Sequence, residues 1–174
     1  DLRQIGRIAE SIGQPDGLGI DPEMFEMKAP ATHDLANQAL ARGDGIAAEE
    51  QLRASLRDAG SPEDVAAYLG EAALLQDDLV TARHWLQPGR FSAATALHGY
   101  RMLGRLEMRE GNLSVAGAAF DQALSIDADR ADLWIDIGHL RYRGGEQVQA
   151  IAAADRALAI DPDSAPRHHA PGNR

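Results

Sequence analysis

The chain contains no cysteine. Disulfides, thiolate metal sites and a cysteine nucleophile are therefore excluded. Lysine is nearly absent: Lys28 stands alone beside sixteen arginines. Aromatic residues make up only 5%, so strands, which favour aromatic and β-branched side chains, are poorly provided for. No apolar run approaches the ~18 residues of a membrane-spanning helix, and no signal peptide is visible. Positive charge is short as well, with 27 acidic against 17 basic residues and a net charge of −10. Nucleic acids and anionic membranes both call for clustered positive charge, so neither is an expected partner. What is present is alanine in quantity and 44% hydrophobic residues over 174 positions. That supports one domain or one short repeat array of closely packed helices. The start at Asp1, without methionine, reads as a processed or partial chain. The arginine and alanine bias points to a GC-rich, bacterial coding sequence. A soluble protein of the bacterial cytoplasm or periplasm is expected, with the compartment open.

The sequence repeats itself every 34 residues. Residues 131–164 read ADLWIDIGHLRYRGGEQVQAIAAADRALAIDPDS, and residues 97–130 read LHGYRMLGRLEMREGNLSVAGAAFDQALSIDADR. Aligned, Tyr100 matches Trp134 and Leu103-Gly104 matches Ile137-Gly138. Gly111 matches Gly145, Ala116 matches Ala150, and Ala123-Leu124 matches Ala157-Leu158. One period earlier, 63–96 places Leu69-Gly70 and Ala82 on the same positions. Before that, 29–62 places Leu35-Ala36, Gly43, Gly45 and Ala48. Apolar spacing within RMLGRLEMREG and LSVAGAAFDQALSI follows the helical period, so each copy reads as two helices. GDG, QDD, EGN and RGGE fall at the turns within copies. Ser61-Pro62-Glu63-Asp64 reads as a capped helix start, with serine as the cap. The copy at 63–96 is expected to lose its second helix early, at Gln87-Pro88-Gly89.

The spacing also predicts how a copy packs. Gly104 and Gly138 would admit the second helix of the same copy, against the small faces of Ala116 and Ala150. Trp134, Tyr100 and Phe120 would then fill the wedges as buried side chains.

This pattern resembles the tetratricopeptide repeat. The motif W-x2-L-G-x2-Y, G, A-x3-F-x2-A and P reads here as Trp134, Ile137, Gly138, Gly145, Ala150, Ala154, Ala157 and Pro162. In the preceding copy it reads Tyr100, Leu103, Gly104, Gly111, Ala116, Phe120 and Ala123. Glu107 and Arg141 stand where the family's tyrosine is common, and Ala128 replaces the proline. The resemblance implies an all-α fold, a right-handed α-solenoid of about four helix pairs over 29–164. It also implies a concave groove lined by the first helix of each copy, where ligands lie. Chaperone-docking members carry a clamp of lysines and asparagines; only Asn37 matches it here, so that partner is not expected.

Residues 1–28 lie outside the period. Leu2, Ile5, Ile8 and Ile12 share a helical face, which reads as a short cap followed by a turn-rich linker. A linker from an upstream anchor or domain is the other reading. Residues 165–174, SAPRHHAPGNR from Ser164 on, read as a flexible tail, with His168-His169 given no metal role. No polar closing helix follows residue 164, which leaves self-association through the last copy open.

Catalytic motifs are absent: no GxSxG, HExxH, Walker loop or GxGxxG after a strand occurs. Histidines 33, 84, 98 and 139 lack metal-ligand spacing. Glu49-Glu50 and Asp77-Asp78 read as solvated or capping acids. No enzyme activity, cofactor or metal is expected. The notable cluster is Arg101, Arg105 and Arg109, four residues apart on one helical face with no acid on that helix within reach. Like charges at this spacing repel by about 0.2–0.5 kcal/mol per pair, so something must offset them. Either Asp132, Asp136 and Glu71 pair with them across neighbouring helices, or the face awaits an acidic or carboxylate-bearing protein or peptide. The two are compatible. The expected ligand groove is Arg101, Arg105, Arg109, Asp136, His139, Tyr142 and Arg143. The expected function is non-catalytic protein binding as an adaptor or assembly scaffold. The alternative is the recognition arm of a larger enzyme such as a transferase.

Overall fold

The computed structural model describes residues 32–58 and 60–164. The expected cap at 1–28 and the tail at 165–174 lie outside the described residues. Among the described residues, eight α-helices follow one another: α1 (Thr32–Ala41), α2 (Gly45–Arg57), α3 (Pro62–Leu75), α4 (Leu79–Trp85), α5 (Ala96–Glu110), α6 (Leu113–Ile126), α7 (Ala131–Arg143) and α8 (Gln147–Ile160). A short 3-10 turn, Pro162–Ser164, closes the series, and no strand occurs among the described residues. Each copy is one antiparallel helix pair. The first helices α3, α5 and α7 lie side by side, α3 on α5 and α5 on α7.

The turns inside the copies use one device. Gly43, Gly111 and Gly145 take positive φ of 75°, 85° and 78°, and the equivalent residue of the second copy, Asp77, takes 57°. A side chain in the left-handed region costs about 1–2 kcal/mol, least for Asn and Asp. One residue after the positive-φ position, Asp44 and Asp78 accept hydrogen bonds from the amides of Ala47 and Thr81, both at 3.0 Å. Those acids are caps, as Asp78 was read. Ser61 differs from expectation: it occupies the cap position, yet its hydroxyl makes no capping bond. The start of α3 rests instead on Pro62 and the acids of its first turn.

The core is carried by small residues and a few large ones. Leu74, Ala82 and Leu86 pack with Met102, Leu103 and Leu106, and Ala116, Phe120 and Ala123 pack with Leu133, Ile137 and Leu140. Gly104 is needed for contact: a Cβ there would lie 2.4 Å from Cε1 of Phe120, whose side chain is 1% exposed. Gly70 meets Leu86 in the same way, at 2.3 Å. Gly138 does not. A Cβ there would find Ala150 O at 3.5 Å and Ala153 Cβ at 3.7 Å, ordinary contacts. The residue equivalent to Phe120 is Ala154, so no ring crowds Gly138. Trp134 is also less buried than expected. It is partly exposed at the rim of its cluster, and its indole N–H donates to the Ala128 carbonyl at 2.7 Å.

The second copy is irregular where the sequence said it would be. α4 ends at Trp85. Leu86 then covers Gly70, and Phe91 covers Gly99, where a Cβ would lie 2.5 Å from the ring. The Ser92 amide and the Thr95 hydroxyl both donate to the Glu63 carbonyl at 3.1 Å, holding this loop where helix turns would otherwise lie.

Candidate functional site

The polar residues of α3, α5 and α7 interlock between copies. Arg101 donates from Nε to Asp136 at 2.6 Å and from Nη1 to Asp132 at 2.5 Å, and is largely buried. Burial pushes the Asp132 carboxyl up, but the Arg101 charge and a hydrogen bond from Arg130 outweigh it and hold the group below its ordinary pKa. One copy earlier the first helices are joined by a different pair, one turn along, with the acid on the earlier helix. Glu71, at the place of Arg105, meets Nε2 of His98, at the place of Asp132, at 2.7 Å. His98 stacks on Tyr68 with ring centres 4.9 Å apart. Burial raises the Glu71 pKa; the His98 bond, with the charges of His98, Arg101 and Arg105, brings it below the ordinary value. Thus Asp132 and Asp136 do pair across the helices as one reading expected, whereas Glu71 takes His98 as its direct partner.

Arg109 and Arg143 have partners of a different kind. Arg109 Nη1 donates to the Leu74 carbonyl at 2.7 Å and to Asp77 at 2.9 Å. Arg143 Nη1 donates to the Met108 carbonyl at 2.7 Å. Both donors and both acceptors are one period apart. Each arginine therefore caps the C-terminal end of the first helix in the preceding copy, where unpaired carbonyls and the helix dipole favour a cation. Arg105 is the least committed of the three in its row. Its nearest carboxylate oxygen, on Asp136, is 3.9 Å away, beyond hydrogen-bond distance, and its side chain is 41% exposed.

These side chains converge. Arg105, Met108, Arg109, Asp136, His139, Tyr142 and Arg143 line one open pocket of about 410 Å³ on the first-helix side. Six of the seven expected groove residues are there. The seventh, Arg101, pairs with Asp136, which lines the pocket. A small cleft between Glu71, Leu75 and the side chains of Arg105 and Arg109 continues the surface toward α3. The pocket lining thus holds three guanidinium groups and one carboxylate, and that carboxylate is engaged by Arg101.

One buried charge was noted in the sequence only as a departure from the family pattern. Glu107 accepts from Arg83 at 2.9 Å and from Asn112 at 2.8 Å, and Arg83 also bonds Glu110. Burial raises the Glu107 pKa, and the bonds from Arg83 and Asn112 more than reverse it. Arg83 sits on α4, in the copy before, so no local spacing in the sequence links the pair.

Residues 101–165 match the family model of the tetratricopeptide repeat. No curated protein matches the chain. Among solved structures, the crystal structure of MamA is similar at 22% identity over 74% of this chain and 75% of that one, with a TM-score of 0.55. YrrB, titled a TPR protein with an unusual peptide-binding site, is similar at 20% identity over 76% of this chain and 69% of that one, with a TM-score of 0.57. Identities at this level establish the helical-repeat fold. Repeat solenoids of this kind use extended concave surfaces for binding. No helix among the described residues is long and apolar enough to cross a membrane. The tetratricopeptide-repeat match thus covers the last two copies, and the same helix-pair fold runs through the copies before them.

Proposed function

We propose that this chain is a non-catalytic binding module that takes a carboxylate-bearing peptide segment of a partner protein into the first-helix pocket between α5 and α7. The observation that carries this reading is the convergence of Arg105, Arg109 and Arg143 with His139 and Tyr142 around one open pocket, with the Arg105 guanidinium beyond hydrogen-bond distance of its neighbour Asp136, 3.9 Å away. A guanidinium fork in such a place suits a carboxylate bidentately. Met108 and Tyr142 supply apolar contact beside it. Arg109 and Arg143 hold the helix ends that frame the pocket while contributing positive charge. Arg101 keeps Asp136 occupied, so that Asp136 does not close onto Arg105. Presenting such a segment at fixed spacing is the work of an adaptor or assembly scaffold.

The test is fluorescence anisotropy with short dye-labelled peptides rich in Glu and Leu and ending in a free carboxylate. Counterparts carry Lys in place of Glu, or an amidated end. Acidic peptides are expected to bind and Lys peptides not to, with affinity falling as salt rises. Arg105→Glu is expected to weaken binding by at least about tenfold, the loss of one charge-assisted contact. Equal binding of acidic and Lys peptides, or an unchanged Arg105→Glu variant, would sink this reading.

A further inference from the structure

The outer face of the last copy carries a hollow that the copy before it fills. In copy 97–130, Phe120 lies over Gly104, and the face made with Ala116 and Ala123 seats Leu133, Ile137 and Leu140 of α7. The chain thus shows what this face does when covered: it receives another helix of the same kind. One period on, Ala154 replaces Phe120. The equivalent face of α7 and α8 encloses a hollow of about 510 Å³ lined by Gly138, Ala150, Ala154 and Ala157 among others. A Cβ on Gly138 would meet only ordinary contacts, at 3.5 Å or more, where one on Gly104 would strike the Phe120 ring.

The same face carries the ring it lacks. Tyr142 lines the hollow and is 69% exposed, and Ile151, beside it on α8, is 63% exposed. Knob and hole therefore lie on one surface, which is what an isologous two-fold interface requires. Charge agrees. Of the residues lining the hollow, His139 and Tyr142 alone carry titratable side chains, and no carboxylate or arginine is among them. In a chain of net charge −10, this is a place where two like-charged copies can meet with little local repulsion. The surface also continues an interface already used within the chain, between copies 97–130 and 131–164.

We propose that two copies of this chain pair through the α7–α8 face about a two-fold axis, each placing its Tyr142 ring in the other's hollow over Gly138 and Ala154. The interface is separate from the carboxylate reading of the first-helix pocket, although Tyr142 borders both. The test is sedimentation of the full 174-residue chain across a wide concentration range. The weight-average mass is expected to rise from that of one chain to that of two. Ala154→Phe would fill the hollow from within, as Phe120 does over Gly104, and is expected to weaken pairing at least about tenfold without lowering the melting temperature. Ile151→Asp, on the exposed surface of the same face, is expected to abolish pairing while the helical circular dichroism is unchanged. A wild-type chain that stays monomeric at every concentration overturns the proposal, as does pairing that both variants leave at wild-type strength. Acidic-peptide binding to Ala154→Phe is expected to match wild type, so the two readings fail independently.

Discussion

Gly104 and Gly138 hold the same place in successive copies, yet an added methyl group would meet different neighbours. At Gly104 it would run into a buried ring that has no room to swing aside. Gly104→Ala is therefore expected to destabilise by about 1–3 kcal/mol through overpacking. At Gly138 the methyl finds ordinary contact distances, so Gly138→Ala is expected to gain up to about 1 kcal/mol of helix propensity. Urea midpoints for the two variants, one lower and one higher than wild type, check the pair together. The large residues divide similarly. Phe120→Ala is expected to cost about 3–5 kcal/mol, and Trp134→Ala distinctly less, because its indole is partly exposed. The glycines and aromatics themselves were plain in the sequence. Their neighbours were not, because crowding at Gly138 depends on whether position 154 holds Phe or Ala.

At the scale of the helices, the boundaries were legible and the props between helices were not. The glycines at 43, 111 and 145 mark turns by their spacing, and the structure gives each a positive φ. Nothing lies within 4 Å of where a Gly111 Cβ would stand, so Gly111→Ala tests backbone strain alone. A loss of about 1–2 kcal/mol is expected from thermal or urea unfolding. The arginine caps left no such trace. Arg109 and Arg143 bond main-chain carbonyls, and every residue type carries one, so no side-chain pattern announces the acceptor. Asp132 and Asp136 could be anticipated as partners of Arg101 because both ends of that contact are charged. Arg83 and Glu107 were not, since Arg83 lies on the second helix of its copy rather than in the first-helix row, and position 107 usually reads as tyrosine in the motif. Arg143→Met, which keeps much of the stem and removes the cation, is expected to cost about 0.5–1 kcal/mol at the end of α5.

Across the whole molecule the inter-copy contacts make stability depend on pH. Glu71, Glu107 and Asp132 all have folded-state pKa values below their ordinary ones. The unfolded chain therefore binds protons at higher pH than the folded chain does. The stability these groups contribute is complete at neutral pH and is lost as pH falls through the ordinary carboxylate range, about 4, toward the lowered folded values. The melting temperature is expected to drop over that interval. Glu107→Gln should be less stable than wild type at pH 7, with the gap narrowing as acid protonates Glu107 in the wild-type chain; calorimetry across pH reads both. The contacts also have a direction. Arg109 reaches back to α3 and Arg143 back to α5, while Asp132 and Asp136 are lent by α7 to an arginine of the copy before. Each copy thus leans on its successor. Removing copy 131–164 would take away more than its own helices: it would strip the prop from the end of α5 and leave Arg101 a cation without its counter-charges. Erosion from that side is self-reinforcing, and an array built this way can be lengthened more safely than it can be shortened.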